Sequence, residues 1–258
     1  MTSENSGKIK YNYVINLNRR TDRWNNITKI INDTCLKNHN FIRFNAIDGN
    51  NFNEDLINHN LNEHQILNKL KENKINVSSG IIGCFLSHIS ALKKISEDDS
   101  LNPNDYVGIY EDDFLFSGSI NSFNESYETL SNTNLHELEV DLIYIGGRFK
   151  PNFIFFDEKT FQQTSNINIF SRGPRENIKI ENYDRCNSSY LIRKDSCKKL
   201  IDLVTINFLR NKEVIAIDVV YPLLYKNIKM FDYYPHLFYS IRNYTSDINN
   251  KTNKYIQF

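Results

Sequence analysis

Residues 106–116 read YVGIYEDDFLF, an apolar run from Tyr106 to Tyr110 that leads straight into three acids, Glu111, Asp112 and Asp113. A run of this length and β-rich composition predicts a strand covered on both faces, as in the sheets of α/β proteins. If the strand continued through the acids, Glu111 and Asp113 would point to one side about 6.6 Å apart, with Asp112 on the other. Two carboxylates on one face repel each other. A hard divalent cation, Mg²⁺ or Mn²⁺, resolves the conflict, because it takes carboxylate oxygens together with the phosphates of a ligand. The competing reading is a solvated turn that happens to follow a strand.

Outward from this stretch the pattern alternates between strand and helix. YNYVINL (11–17) predicts a strand, and NRRTDRWNNITKIIND a helix capped at Thr21 or Asp22 with apolar positions at Trp24, Ile27, Ile30 and Ile31. FIRFNAIDG (41–49) predicts a second strand running into a turn at Asp48-Gly49. Residues 50–76 are polar and weakly helical. Residues 78–98 carry an apolar stripe through Ile82, Phe85, Leu86, Ile89, Leu92 and Ile95, which predicts a core helix with Ser79 as its cap. SFNESYETLSN predicts a helix and VDLIYIGG (140–147) a strand, followed by a long segment, 148–183. NSSYLIRKDSCKKLIDLV (187–204) pairs a strand with a helix capped near Asp195. AIDVVYPLLYK brings a further acid, Asp218, and a strand with an aromatic tail closes the chain. The expected architecture is α/β, with a largely parallel sheet that binds its ligand at the carboxyl ends of the strands.

With 31 basic and 31 acidic residues among 258, no overall field draws this chain to nucleic acid or to an anionic membrane. No segment approaches the roughly 18 apolar residues needed to span a bilayer, and the N-terminus lacks an apolar targeting core. A cytoplasmic protein is the expectation. Cys35, Cys84, Cys186 and Cys197 are far apart, without a C-x-x-C pair, so reduced thiols are expected and a structural zinc site is not.

Several segments, in order, resemble glycosyltransferase family 25, the lipooligosaccharide and procollagen galactosyltransferase group, in its compact bacterial or viral form. They are YVINLNRRTDRW, FIRFNAIDG, GIIGCFLSHISALKKI, YVGIYEDDFLF, DLIYIGG, SSYLIRKDSCKKLI, AIDVVYPLL and SDI, from Tyr11 to Ile248. The resemblance implies a GT-A type nucleotide-sugar transferase fold, a mostly parallel central sheet flanked by helices. It also implies a UDP-galactose or UDP-glucose donor, inversion at the anomeric carbon, and Mn²⁺, with Mg²⁺ as the other candidate. The acceptor would be a hydroxyl of a glycan or protein. One GT-A catalytic domain would span 11–248, between a flexible N-terminus, 1–10, and a C-terminal tail, 249–258.

Carried onto this sequence, the family pattern assigns metal ligation to Asp113, with Glu111 on the metal's water shell or the ribose and His236 as a late ligand or a structural histidine. Asp112 belongs to the same donor-binding motif. The backbone near Asn16, Leu17 and Asn18 would face the uridine, and Arg19, Arg20 or Arg23 the diphosphate, for which guanidinium forks are suited, unless these arginines only form a solvated helix start. Asp48 and Gly49 would touch the nucleotide or simply form a turn. Ser87-His88 would sit close to the donor or pack inside the core helix, and Cys84 reads as packing. Asp218 is the candidate base for the acceptor hydroxyl, or else a helix cap. Ser189 and Tyr190 fall on the acceptor side, where the residues from Asn187 depart from the small-residue pattern usual before this motif.

Two rivals stand beside this reading. A non-catalytic relative would keep the fold as a nucleotide- or sugar-binding module, although it would have no use for the costly carboxylate cluster. A sugar-activating nucleotidyltransferase would be expected to carry an early glycine-rich phosphate loop, and NLNRRTDRW contains no glycine.

Overall fold

The computed structural model describes residues 7–51, 77–147, 169–171, 188–210, 226–233, 236–240 and 255–256, together with Ile217, Tyr221 and Leu224. Its main sheet has seven strands in the order β2-β1-β4-β9-β6-β10-β8. These are β1 (Ile9–Asn16), β2 (Phe41–Asn45), β4 (Tyr106–Glu111), β6 (Leu142–Tyr144), β8 (Ile169–Ser171), β9 (Ser189–Arg193) and β10 (Met230–Tyr233). Strands β2, β1, β4, β6 and β10 run in one direction, so the parallel character expected from the alternating pattern holds for direction. Pairing is more mixed, because β9 lies antiparallel between β4 and β6, and β8 is antiparallel to β10.

A three-stranded sheet, β5 (Phe114–Phe116), β11 (Phe238–Ser240) and β7 (Gly146–Gly147), extends from the same end of the molecule. Strand β3 (Val77–Ser78) pairs with β12 (Tyr255–Ile256). Both ends of the chain therefore enter the fold further than expected: Ile9 and Lys10 already belong to β1, and two residues of the expected tail are paired.

Among the described residues four helices cover the main sheet: α1 (Thr21–Asp33), α2 (Ser79–Ser96), α3 (Ile120–Asn132) and α4 (Lys194–Arg210). Strand alternation divides the core in two. Tyr11, Tyr13 and Ile15 of β1 and Val107 and Ile109 of β4 pack with α2 and α4, whereas Val14, Tyr106 and Tyr110 pack with α1 and α3. All six apolar residues of the predicted stripe on α2 are buried, each stabilising by about 1.5–3 kcal/mol. Caps differ from expectation. Arg20, not Thr21 or Asp22, precedes α1, and Ser78 precedes α2, neither with a side-chain capping bond. Asp195 lies in the first turn of α4, where a carboxylate favours the helix dipole. No helix among the described residues is long and apolar enough to cross a membrane.

Candidate active site

The carboxyl ends of β2, β1 and β4 lie side by side, with Asn16 opposite Asn45 and Ile15 opposite Glu111. Strand β4 stops at Glu111, and Asp112 and Asp113 form a tight turn into β5. The extended geometry that would set Glu111 and Asp113 on one face is therefore replaced by a turn, and the three acids take three separate environments. Pleat alternation sends Glu111 toward α2 and Asp112 toward α1, leaving Asp113 at the bend.

Asp112 is 8% exposed and fully engaged. Arg23 of α1 donates to its Oδ1 at 2.7 Å, and Asn16 to its Oδ2 at 2.6 Å. Burial still raises its pKa, with Arg23 opposing the rise. Glu111 is half-buried, with its Oε1 3.4 Å from His88 Nε2 and 3.8 Å from Cys84 Sγ. Burial would raise the Glu111 pKa, but the hydrogen bond and charge of His88 and the charge of Arg23 outweigh it and hold the carboxyl below its ordinary value. Asp113 differs from both. Its Oδ1 is buried without a hydrogen-bond partner, and burial, reinforced by the charges of Glu111 and Asp112, pushes its pKa up to about 7. A buried acceptor left unpaired is costly, so this oxygen fits a place meant for a cation. A solvated turn would have none of these properties.

Around the acids the expected donor-binding residues divide into ligand-facing and structural groups. The Asn16 side chain is engaged inside the protein: its Oδ1 accepts from Arg43 Nε at 2.8 Å, and its amide also donates to the Arg20 carbonyl. Leu17 O accepts from the Arg20 backbone N–H at 2.8 Å, closing the turn after β1. Arg23 is a buried partner of Asp112. Arg20 lies back on Asp22, Nη2 to Oδ2 2.9 Å, and holds that carboxyl down at about 2. Arg19 is the exposed arginine of the three, 2.8 Å from Asp48 across the loop mouth. Asp48 also accepts from the Asn50 backbone N–H at 3.0 Å, and its pKa is lowered by Arg19 and Asn50 against the effect of burial. Gly49 has a steric reason to be glycine: a Cβ there would run into the carbonyl of Ser79 at the start of α2. Gly83 mirrors it, since its Cβ would stand 2.6 Å from the carbonyl of Ile47.

Ser87 is corrected from a donor contact to a brace. It is 1% exposed, accepts from the Ile47 N–H at 2.8 Å and donates to the Gly83 carbonyl at 2.6 Å. His88 is buried completely, and its Nδ1 lies 2.9 Å from the Tyr190 hydroxyl, which in turn is 3.3 Å from Tyr221. Its Nε2 reaches Glu111 Oε1 at 3.4 Å, so among the described residues it lies behind that acid. Ser189 and Tyr190 are likewise corrected: both are 0% exposed in β9, the middle of the sheet, where no acceptor can touch them. His236 is not brought to the acids. Phe114 pairs with Ser240 and Phe116 with Phe238, and the His236 carbonyl accepts from Ser117 Oγ at 2.6 Å, just past the far end of β5 from Asp113. There its Nε2 is 3.5 Å from Asp232. Asp218 lies outside the described residues.

Sequence reasoning missed Arg43, which fixes Asn16 and stacks over Trp24 with its Cζ 5.3 Å from the ring centroid. It also took Cys84 for packing, although Cys84 and His88 are four apart on one helix face, the spacing that brings two ligands together. With Glu111 they form a group whose ligand atoms all lie within 4.8 Å of one another.

The sequence model of a family described as glycosyltransferase family 25 (LPS biosynthesis protein) matches residues 9–220. The chain belongs to glycosyltransferase family 25. The match runs through β1, Arg19 to Arg23, α2, the acids and β9, and ends just before Tyr221. As a member of family 25 the protein is a glycosyltransferase, with a sugar donor and an acceptor as its partners. A solved structure described as the inositol-1-phosphate CTP transferase from T. maritima is similar at 16% identity, over 95% of this chain and 94% of that chain, with a TM-score of 0.41. No curated protein sequence matches the chain.

Proposed function

We propose that this family 25 member transfers a hexose, galactose or glucose, from a UDP-sugar to a hydroxyl of a glycan or protein, with inversion, on a GT-A type fold that uses Mn²⁺ or Mg²⁺. The observation that carries the reading is the Asp113 carboxylate, buried beside Glu111 and Asp112 with an oxygen that has no protein hydrogen-bond partner. Asp113 would hold the cation, with Glu111 beside it. Once bound, the cation supplies positive charge to the diphosphate as it becomes a leaving group.

The remaining work falls to the chain's own residues. Asp112, fixed by Arg23 and Asn16, holds the turn in shape so that Asp113 is preorganised. Arg19 can swing from Asp48 onto a phosphate without unfolding anything, because the pair is exposed. In the transfer, the acceptor oxygen forms a bond to the anomeric carbon while that carbon's bond to the phosphate oxygen breaks, its electron pair leaving with UDP. The hydroxyl proton passes to a base, for which Asp218 is the proposed residue.

The test is release of UDP from a panel of UDP-sugars, with Mn²⁺ or with EDTA, since slow donor hydrolysis needs no acceptor. Metal-dependent release from one sugar is expected, and it would identify the donor at the same time. Pyrophosphate release would move the enzyme to nucleotidyl transfer. Absence of both release and Mn²⁺-dependent UDP binding would leave a binding module.

A further inference from the structure

On the far side of α1, away from the acids, a second group of metal-ligating side chains comes together. Cys35 opens a single 3-10 turn, Cys35–Asn38, that follows α1 after Thr34, and His39 closes it. Glu128 reaches them from α3, and the three ligand atoms all lie within 4.8 Å of one another. His39 Nε2 is already 3.3 Å from Glu128 Oε1.

The supports around the group are those a metal centre needs. The Cys35 backbone N–H donates to Asn124 Oδ1 at 2.8 Å, which ties the turn to α3 one helical turn before Glu128. Thr34 caps the turn through its hydroxyl, and the His39 N–H closes it onto the Leu36 carbonyl at 2.9 Å. The His39 ring stands edge-on to Tyr127, with centroids 4.9 Å apart and planes at 76°, so its plane is held by packing. Cys35 is buried, while His39 and Glu128 are half-buried, which gives an ion a way in from solvent.

We propose that Cys35, His39 and Glu128 form a zinc site, with water as the fourth ligand, that clamps the end of α1 to α3. Sulfur, imidazole and carboxylate together are a tetrahedral zinc donor set, softer than the oxygen-only set that suits Mg²⁺ or Mn²⁺. Binding would release the thiol proton, and the thiolate and carboxylate would then neutralise the ion's two positive charges. Small side-chain rotations suffice, because the three donors come from two elements that are already hydrogen-bonded to each other. The site is independent of the glycosyltransferase reading.

Cobalt substitution tests it, because Co²⁺ bound to a thiolate gives an intense near-ultraviolet charge-transfer band that Mn²⁺ sites of oxygen ligands do not. Chelator-treated whole protein titrated with Co²⁺ is expected to develop that band, saturating near one equivalent and abolished by Zn²⁺. Cys84→Ser should keep the band and Cys35→Ser should lose it. Glu128→Gln, a change on a half-exposed helix face that leaves the fold intact, should weaken Co²⁺ and Zn²⁺ binding by about tenfold or more. Zn²⁺ should raise the melting temperature of the wild type and not that of Cys35→Ser. No thiolate band in the wild type, a band that survives Cys35→Ser and disappears in Cys84→Ser, or unaltered affinity in Glu128→Gln would each overturn the proposal.

Discussion

Cys84, His88 and Glu111 at the carboxyl end of the sheet, and Cys35, His39 and Glu128 at the α1–α3 seam, are built from one residue set with the same Cys-x3-His spacing. Their surroundings separate them. The first group adjoins two more carboxylates and an arginine-bearing loop, and its histidine is tied through Nδ1 to a buried tyrosine pair. The second sits between two helices, held by a caps-and-turns framework with a single carboxylate in the cluster. Residue type therefore does not decide chemistry here; position relative to the strand ends does. On the readings proposed for them, one place would gather negative charge for a hard cation and a phosphate, and the other would offer sulfur and nitrogen to a softer ion.

The largest effect that would test this contrast is Asp113→Ala. Transfer is expected to fall by about 10³-fold, with Mn²⁺-dependent UDP binding lost in calorimetry. The thiolate–cobalt band should stay as in the wild type. If the same substitution removed both, the two centres would not be separate.

Arg23→Met comes next, and its readout is stability. Removing the guanidinium leaves Asp112 buried with only Asn16 to serve it, and the loss is expected at about 3–5 kcal/mol in urea unfolding. A cost below about 1 kcal/mol, the range of an exposed pair, would mean that water reaches Asp112 and that the turn is not preorganised.

The pH dependence of the metal-free protein reports on Asp113, with Asp112, also raised by burial, adding in the same direction. With the Asp113 pKa pushed up to about 7, the folded protein holds a proton between roughly pH 4 and 7 that the unfolded chain has already released. Metal-free stability should therefore fall as the pH rises through that window, by up to about 4 kcal/mol. Asp113→Asn should flatten this slope, and added Mn²⁺ should reverse it, because the ion requires the deprotonated carboxylate. Urea melts across the window, with and without Mn²⁺, check the sign.

How far the sequence reveals all this depends on the range of the interaction. Strand β4 and the stripe of α2 were legible because their signals are local and periodic, and so was the presence of a charged cluster at the strand end. The reversed strand β9 was not, since a strand's direction depends on which distant segment it joins. The bend at Asp112-Asp113 was legible only as a solvated turn, since Asp favours turns, and nothing local showed that this one is buried. Ser189 and Tyr190 looked like acceptor residues by motif, yet their place in the middle of the sheet buries them. The two Cys-x3-His pairs were not read as sites, because each acquires its glutamate only through folding, across 89 residues for His39 and 23 for His88.

Tyr190→Phe asks whether the buried tyrosine positions the histidine. Removing the hydroxyl frees His88 Nδ1 and loosens its hold on Glu111, with a turnover loss of about tenfold expected and little change in donor KM. Rescue is part of the test: Glu111→Gln should show the same loss whether or not Tyr190 is changed, since the two act in series. Independent, multiplying losses would break that chain.

The smallest effect belongs to Arg19→Ala. Its pair with Asp48 is exposed, so stability should change by less than about 0.5 kcal/mol. If Arg19 leaves Asp48 to meet the donor's diphosphate, donor affinity should fall about three- to tenfold at low salt, with the deficit shrinking as salt screens the wild-type contact. Asp48→Asn then separates two roles for the same pair. Releasing Arg19 should raise donor affinity if the ion pair competes with phosphate, and should lower it if Asp48 holds the loop, through the Asn50 N–H, in the shape the nucleotide needs. Asparagine can still accept from that N–H through its carbonyl oxygen, so a gain in affinity is the expected result, and a loss would make the pair a structural latch that stays closed over the bound donor.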